Sequence, residues 1–212
     1  METTYVERHI KALSVAKACF ELGARVKTVC HLTGLNRHEL VRLFFIDERS
    51  APRGRPPDSI EWYHHANLIE QVDASLVTAL FERVSALGFP PPDALIGAYR
   101  LYRERCTSAT RISFDRAFDL VSALRGMWLK RTAEFALHDC PVCRSHYLAS
   151  PGDHSAKLHG CPFCKLVKRY RCDTRIQAAF PIRAIPIVPP EALGLLSAFL
   201  YVSDVADDSL LS

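Results

Sequence analysis

Long apolar runs are missing from this sequence. No stretch of its 212 residues approaches the roughly 20 consecutive apolar residues that a membrane-spanning helix needs, so no membrane partner is expected. Met1 to Lys11 mixes charged and apolar side chains without an apolar signal core, so no secretory leader is expected. Three enzyme signatures are absent as well: a nucleophile elbow, a phosphate-binding glycine loop and an HExxH-like helix. No enzyme is expected. Charged residues are sparse, at 24% against 49% hydrophobic, a balance that argues against wholesale disorder and for one sizeable domain or two modest ones. Convincing strand patterns are lacking before Cys140, and helical periodicity takes their place.

Cysteine is present but unevenly used. Of eight cysteines, Cys19, Cys30, Cys106 and Cys172 are scattered, while the other four form two pairs. This is the usage of a reducing cytoplasm and not of a secreted disulfide framework, and a cytoplasmic protein is expected. The pairs are Cys140-Pro-Val-Cys143 and Cys161-Pro-Phe-Cys164, with seventeen residues between them. A C-x₂-C turn presents two thiolates from one knuckle, and two knuckles supply the four soft ligands of a tetrahedral site. Proline after the first cysteine of each pair stiffens the turn. One Zn²⁺ per chain, held by Cys140, Cys143, Cys161 and Cys164, is the expectation. A redox dithiol shares the Cys-Pro-x-Cys pattern but needs a βαβ surround, which is not visible here. Iron suits the same S₄ geometry, but the segment lacks the glycine that usually follows each knuckle of small iron–sulfur electron carriers. His138, His146, His154 and His159 lie nearby and are read as surface or supporting groups, since four cysteines already complete the shell. A closed shell leaves no place for substrate, so the metal is structural.

The chain before the knuckles reads as a series of helices. Residues 5–22 carry Val6, Ile10, Leu13, Ala16 and Phe20 at helical spacing, a stripe for core or partner contact. Val26 to Thr33 forms a short helix, Gly34 a turn, and Asn36 with Glu39 a capping-box-like start for the next helix. Val29, Leu35, Leu40 and Leu43 stand where a helix-turn-helix locks its two helices, and the second would present Asn36, Arg37, His38 and Arg42 to a major groove. An ordinary helical hairpin with a solvated face is the alternative. Ser50 to Asp58 is a loop with Arg53 and Arg55 as a basic arm. Asp58 and Glu61 then open a helix expected to run to about Leu87, Asp93 caps one ending near Arg105, and Ile112 to Leu137 reads as one long helix.

Charge is asymmetric. Residues 176–212 hold one basic residue (Arg183) against four acids (Glu191, Asp204, Asp207, Asp208), leaving 26 basic and 19 acidic residues in 1–175. Lys165, Lys168, Arg169, Arg171 and Arg175 follow directly on the second knuckle. With no helical pattern that would seat them in a groove, Lys165, Lys168, Arg169 and Arg171 are expected to contact phosphates. The fold class is therefore mainly α: a helical body with a helix-turn-helix-like segment, followed by a small Cys₄ zinc lobe. Three regions are expected, an all-helical body for partner and DNA binding (1–138), the zinc lobe with its basic extension (139–175), and a proline-interrupted apolar and acidic tail (176–212).

Several of these residues combine into a familiar set. Glu21-Leu-Gly-Ala-Arg-Val26, Leu35-Asn-Arg37 with Arg42-Leu43, Trp62, Ala98-Tyr-Arg-Leu-Tyr102 and the two knuckles resemble the FlhC family of bacterial flagellar activators over roughly residues 5–175. The resemblance implies a DNA-binding transcriptional activator subunit that assembles with FlhD into a heterohexamer and recruits sigma-70 RNA polymerase to flagellar promoters. It also implies zinc at the same four cysteines. The competing class is a zinc-stabilised protein–protein scaffold without DNA binding of its own.

Overall fold

A computed structural model describes residues 4–46, 50–52, 61–106, 110–150 and 160–182. Arg53, Arg55, Asp58, His154, His159 and the chain from Arg183 onward lie outside them. The elements below all belong to one compact unit, Met1–Phe180.

Helix α1 (Tyr5–Glu21) opens with a capping box in which Thr4 and Glu7 satisfy each other's backbone N–H groups. Its expected stripe is buried only in the second half. Val15, Ala16 and Cys19 are buried, whereas Tyr5, Val6 and Ile10 are 73%, 62% and 61% exposed. The Cys19 thiol, closed in by neighbouring helices, is pushed up to about 12 by burial. Helix α2 (Val26–Thr33) ends at Gly34, whose φ of 74° is the left-handed cap that glycine adopts without steric cost. Helix α3 (Arg37–Phe44) starts at Asn36, whose side chain accepts from the Glu39 N–H at 2.8 Å. Val29 and Leu40 are fully buried between these helices and Leu35 partly so. Leu43 departs from the expected lock and is 50% exposed. One residue on, Phe44 takes the inward place and meets the Phe20 ring at 5.2 Å. The start of α2 is tethered to the body by buried Asp115, which accepts from the Arg25 N–H (3.1 Å) and the Thr28 hydroxyl (2.5 Å).

The single helix expected from Asp58 to Leu87 is two. Helix α4 (Glu61–His64) stops, and α5 (Leu68–Ala86) restarts from a capping box between Asn67 and Glu70. That Asn-x-x-Glu was readable, but the surrounding apolar periodicity masked it. Helix α5 packs against α6, α7 and the elements after Ala136, and it is buried around much of its circumference, polar positions included. Thr78 donates to the Ala74 carbonyl and Ser75 to that of Gln71, so neither hydroxyl is stranded. Helix α6 (Pro91–Arg105) takes its cap from Pro90, with prolines in its first turn. Asp93, expected as the cap, sits inside that turn and lies 3.4 Å from Lys11.

The long helix expected over Ile112 to Leu137 is also shorter. Helix α7 (Phe114–Arg125) ends at Gly126 (φ 62°), where a Cβ would lie 2.9 Å from the backbone of Thr132 and Ala133. The chain doubles back there, and the Glu134 N–H donates to the Ala123 carbonyl at 2.7 Å. Trp128 therefore lies outside the helix, yet its ring still stacks on Phe118 at 5.1 Å. Two short antiparallel strands follow, β1 (Ala136–Asp139) and β2 (His146–Ala149), with Leu137 opposite Leu148. β1 corrects the expectation of an all-helical chain up to Cys140. Helices α8 (Pro162–Arg169) and α9 (Thr174–Ala179) complete the unit, so α9 runs across the expected 175/176 boundary.

Strand β2 and α8 both lie on α5. The Tyr63 hydroxyl donates to the Leu148 carbonyl at 2.7 Å, and the Leu148 N–H donates to Ser75 at 3.1 Å. Leu148 shares an apolar cluster with Tyr63, Ala74, Leu120 and Phe135. Burying Leu148 and Phe135 contributes about 1.5–3 kcal/mol each to holding the cysteine-bearing hairpin on the body.

Candidate metal centre and nucleic-acid interface

The four paired cysteines converge from two kinds of local structure. Cys140 and Cys143 lie in the turn between β1 and β2, closed by the Arg144 N–H donating to the Cys140 carbonyl (2.8 Å) and the Cys140 N–H to the Ser145 carbonyl (3.0 Å). Arg144 accepts a left-handed φ of 58° to make this turn, a conformation that costs a side-chain-bearing residue about 1–2 kcal/mol. Cys161 caps α8 and Cys164 sits in its first turn. Cys140 and Cys164 bring their sulfurs to 3.6 Å, Cys143 and Cys161 likewise, and all four ligand atoms lie within 4.8 Å of one another. A tetrahedral ion with metal–sulfur bonds of about 2.3 Å needs sulfurs about 3.8 Å apart. The cluster fits that need, and its four cysteines could hold a metal ion.

The thiols differ in acidity. Burial raises Cys143, but hydrogen bonds from Ser145 and then from Cys164 and Cys140 outweigh it and hold the thiol at about 6. Cys164 is pushed up to about 12, first by its hydrogen bond with Cys143. The ligand at such a site is the thiolate, so binding a cation here releases protons. Of the nearby histidines, the two among the described residues, His138 and His146, do not join. His146 pairs with Asp139 on the exposed side of the hairpin, and the His138 ring lies 6.0 Å from that of Tyr147.

The basic residues fall into two surfaces. Arg37, His38 and Arg42 are exposed on α3, and with Val41 they line a shallow concavity. Lys165, Lys168, Arg169 and Arg171 are exposed on and just after α8. The expectation that this second cluster lacks helical pattern is corrected: Lys165, Lys168 and Arg169 stand at i, i+3 and i+4 of α8 and share one side. The signal was present as proline in the first helical position after Cys161. Phe163, across the helix from Lys165, and Leu166 on its flank are partly buried, and Pro162 at the helix start is buried.

The chain matches known proteins over most of its length. Residues 1–177 match the family described as Flagellar transcriptional activator (FlhC). The flagellar transcriptional regulator FlhC of Burkholderia lata is 30% identical over 160 residues, covering 73% of this chain and 70% of that protein. That of Nitrosomonas eutropha is 26% identical over 164 residues (75% and 81%), and that of Variovorax paradoxus 24% over 161 (74% and 75%). With the family match spanning residues 1–177, which include the helical body and the paired cysteines, the chain belongs to the FlhC family of flagellar transcriptional activators.

Proposed function

We propose that this chain is the zinc-stabilised, DNA-binding subunit of a cytoplasmic activator that assembles with FlhD and switches on flagellar operons through sigma-70 RNA polymerase. The observation that carries the DNA-binding part is the exposed cationic side of α8, a helix whose cap and first turn supply two of the four clustered cysteines. One Zn²⁺ bound by Cys140, Cys143, Cys161 and Cys164 would join the hairpin to α8 and so fix the direction of Lys165, Lys168, Arg169 and Arg171. The zinc supplies structure here and no reaction step, since four thiolates fill its shell. Arg37, His38 and Arg42 on α3 form the second DNA contact.

The exposed Tyr5, Val6 and Ile10 side of α1 supports a protein contact, as a partner subunit or a scaffold role would require. A gel shift with a flagellar promoter fragment, with and without FlhD, separates these roles. Retardation that is strongest in the presence of FlhD is expected. Binding of FlhD without retardation of the fragment at low salt would leave the scaffold reading in place of DNA binding.

A further inference from the structure

We infer that α8 is a base-reading element, entering the major groove of duplex DNA with Lys165 and Lys168 on base edges and Val167 against thymine methyl groups. This rests on the DNA-binding reading above and deepens it, because a patch that only positions the protein on phosphates needs neither a helix nor an apolar residue. The local topology supplies the helix. One cysteine pair lies in the turn of a β-hairpin, the other at the start of α8, so the sulfur cluster and the packing on α5 hold α8 from two directions. Its exposed side runs from Val167 through Lys168 to Lys165 and Arg169. Lys165, Lys168 and Arg169 lie within about a third of the circumference at 3.6 residues per turn.

Composition separates α8 from α3. Helix α8 contains no acidic residue, and Lys165, Lys168, Arg169 and Arg171 form no salt bridge with any carboxylate among the described residues. The closest acid in sequence, Asp173, is occupied by the backbone N–H groups of Arg175 and Ile176. Helix α3, in contrast, carries Glu39 beside its cations. Val167, about 100° round the helix from Lys168 and on the far flank from Lys165, is 72% exposed, although Phe163 and Leu166 of the same helix find partial cover. An α-helix with its side chains is about 10–12 Å across, which matches the major groove at about 12 Å. There lysine can bond guanine O6 and N7, and an apolar side chain can meet the thymine methyl.

The test compares the complex that shifts the promoter fragment with the same complex carrying Lys165→Ala, Lys168→Ala or Val167→Ala, each checked for unchanged metal content. Affinities are measured on the promoter, on random duplex, on promoter fragments with single base-pair changes, and on fragments with deoxyuridine in place of thymidine. At least one lysine variant is expected to lose about 5- to 150-fold on the promoter, less on random duplex, and nothing further when one particular base pair is changed. Val167→Ala should make the complex indifferent to one thymine-to-uracil replacement. Equal losses on promoter and random duplex, with no position dependence, would assign α8 to phosphates and overturn the inference. Variants that bind as the wild type does would remove α8 from the interface altogether. A wild-type complex that fails to distinguish promoter from random duplex would instead overturn the DNA-reading function itself, a result separate from either of these.

Discussion

A chain carrying Cys161→Ser is expected to purify without stoichiometric metal and with its cysteine lobe unfolded, while the helical body persists. Cys161 is buried, caps α8, and brings its sulfur to 3.6 Å from that of Cys143. Its loss leaves three thiolates and breaks the link between hairpin and helix. Binding at such structural sites is coupled to folding and provides about 10–16 kcal/mol at neutral pH in isolated zinc modules. Packing of Leu148 and Phe135 and the Tyr63 and Ser75 hydrogen bonds still hold β2 on the body, but a two-stranded hairpin is marginal in water without further support. The body is different: its main apolar cluster draws on α1, α2, α3, α5, α6 and α7 without any of the four paired cysteines. Metal analysis and thermal unfolding should therefore show loss of about one zinc and an early transition confined to the lobe. Metal retained at about one per chain would sink the four-cysteine assignment.

Arg111→Ala is expected to destabilise the body by about 3–5 kcal/mol, the usual cost of leaving a buried charge without its partner. The Asp73 side chain is 2% exposed, and Arg111 grips it with Nε at 2.6 Å from Oδ2 and Nη2 at 3.4 Å from Oδ1. Burial pushes the Asp73 carboxyl above its ordinary value, although Arg111 and the Tyr102 hydroxyl pull it back. Without Arg111 that offset disappears, and only the 3.3 Å bond from Tyr102 among these groups continues to favour the carboxylate. The folded variant then holds a proton that the unfolded chain releases. Its stability should fall as pH rises above the ordinary carboxylate range, more steeply than in the wild type. The same guanidinium lies over the Phe180 ring at 4.9 Å and bonds the Ala179 carbonyl at 3.5 Å, so α9 should loosen as well. Chemical denaturation across pH measures both effects. Arg111→Ala paired with Asp73→Asn should recover much of the loss, and an uncorrected double variant would show that the arginine acts through packing alone.

Legibility in the sequence followed the range of the interactions. The cysteine pairs were readable because each knuckle is a four-residue pattern, as were Gly34 and the Asn36 cap, whose partners lie within a few residues. The break between α4 and α5 was locally encoded as well, in Asn67 and Glu70, but an apolar period spanning it looked like one helix. Gly126 presents the opposite case. Its left-handed turn is needed because the chain returns over Ala123, and periodicity in one direction cannot register a reversal. Leu43 and Phe44 exchanged places for a similar reason, since the inward position on α3 is decided by Phe20 on α1. The ion pair between Asp73 and Arg111, 38 residues apart, had no local signature.

Salt-dependent titration of the promoter complex, comparing wild type with the Lys165, Lys168, Arg169 and Arg171→Ala quadruple variant, tests most directly whether α8 is a DNA contact. With metal content unchanged, the variant should bind more weakly, and its log–log salt slope should flatten by about 0.9 for each phosphate contact removed. A variant with wild-type affinity and wild-type slope would contradict the account.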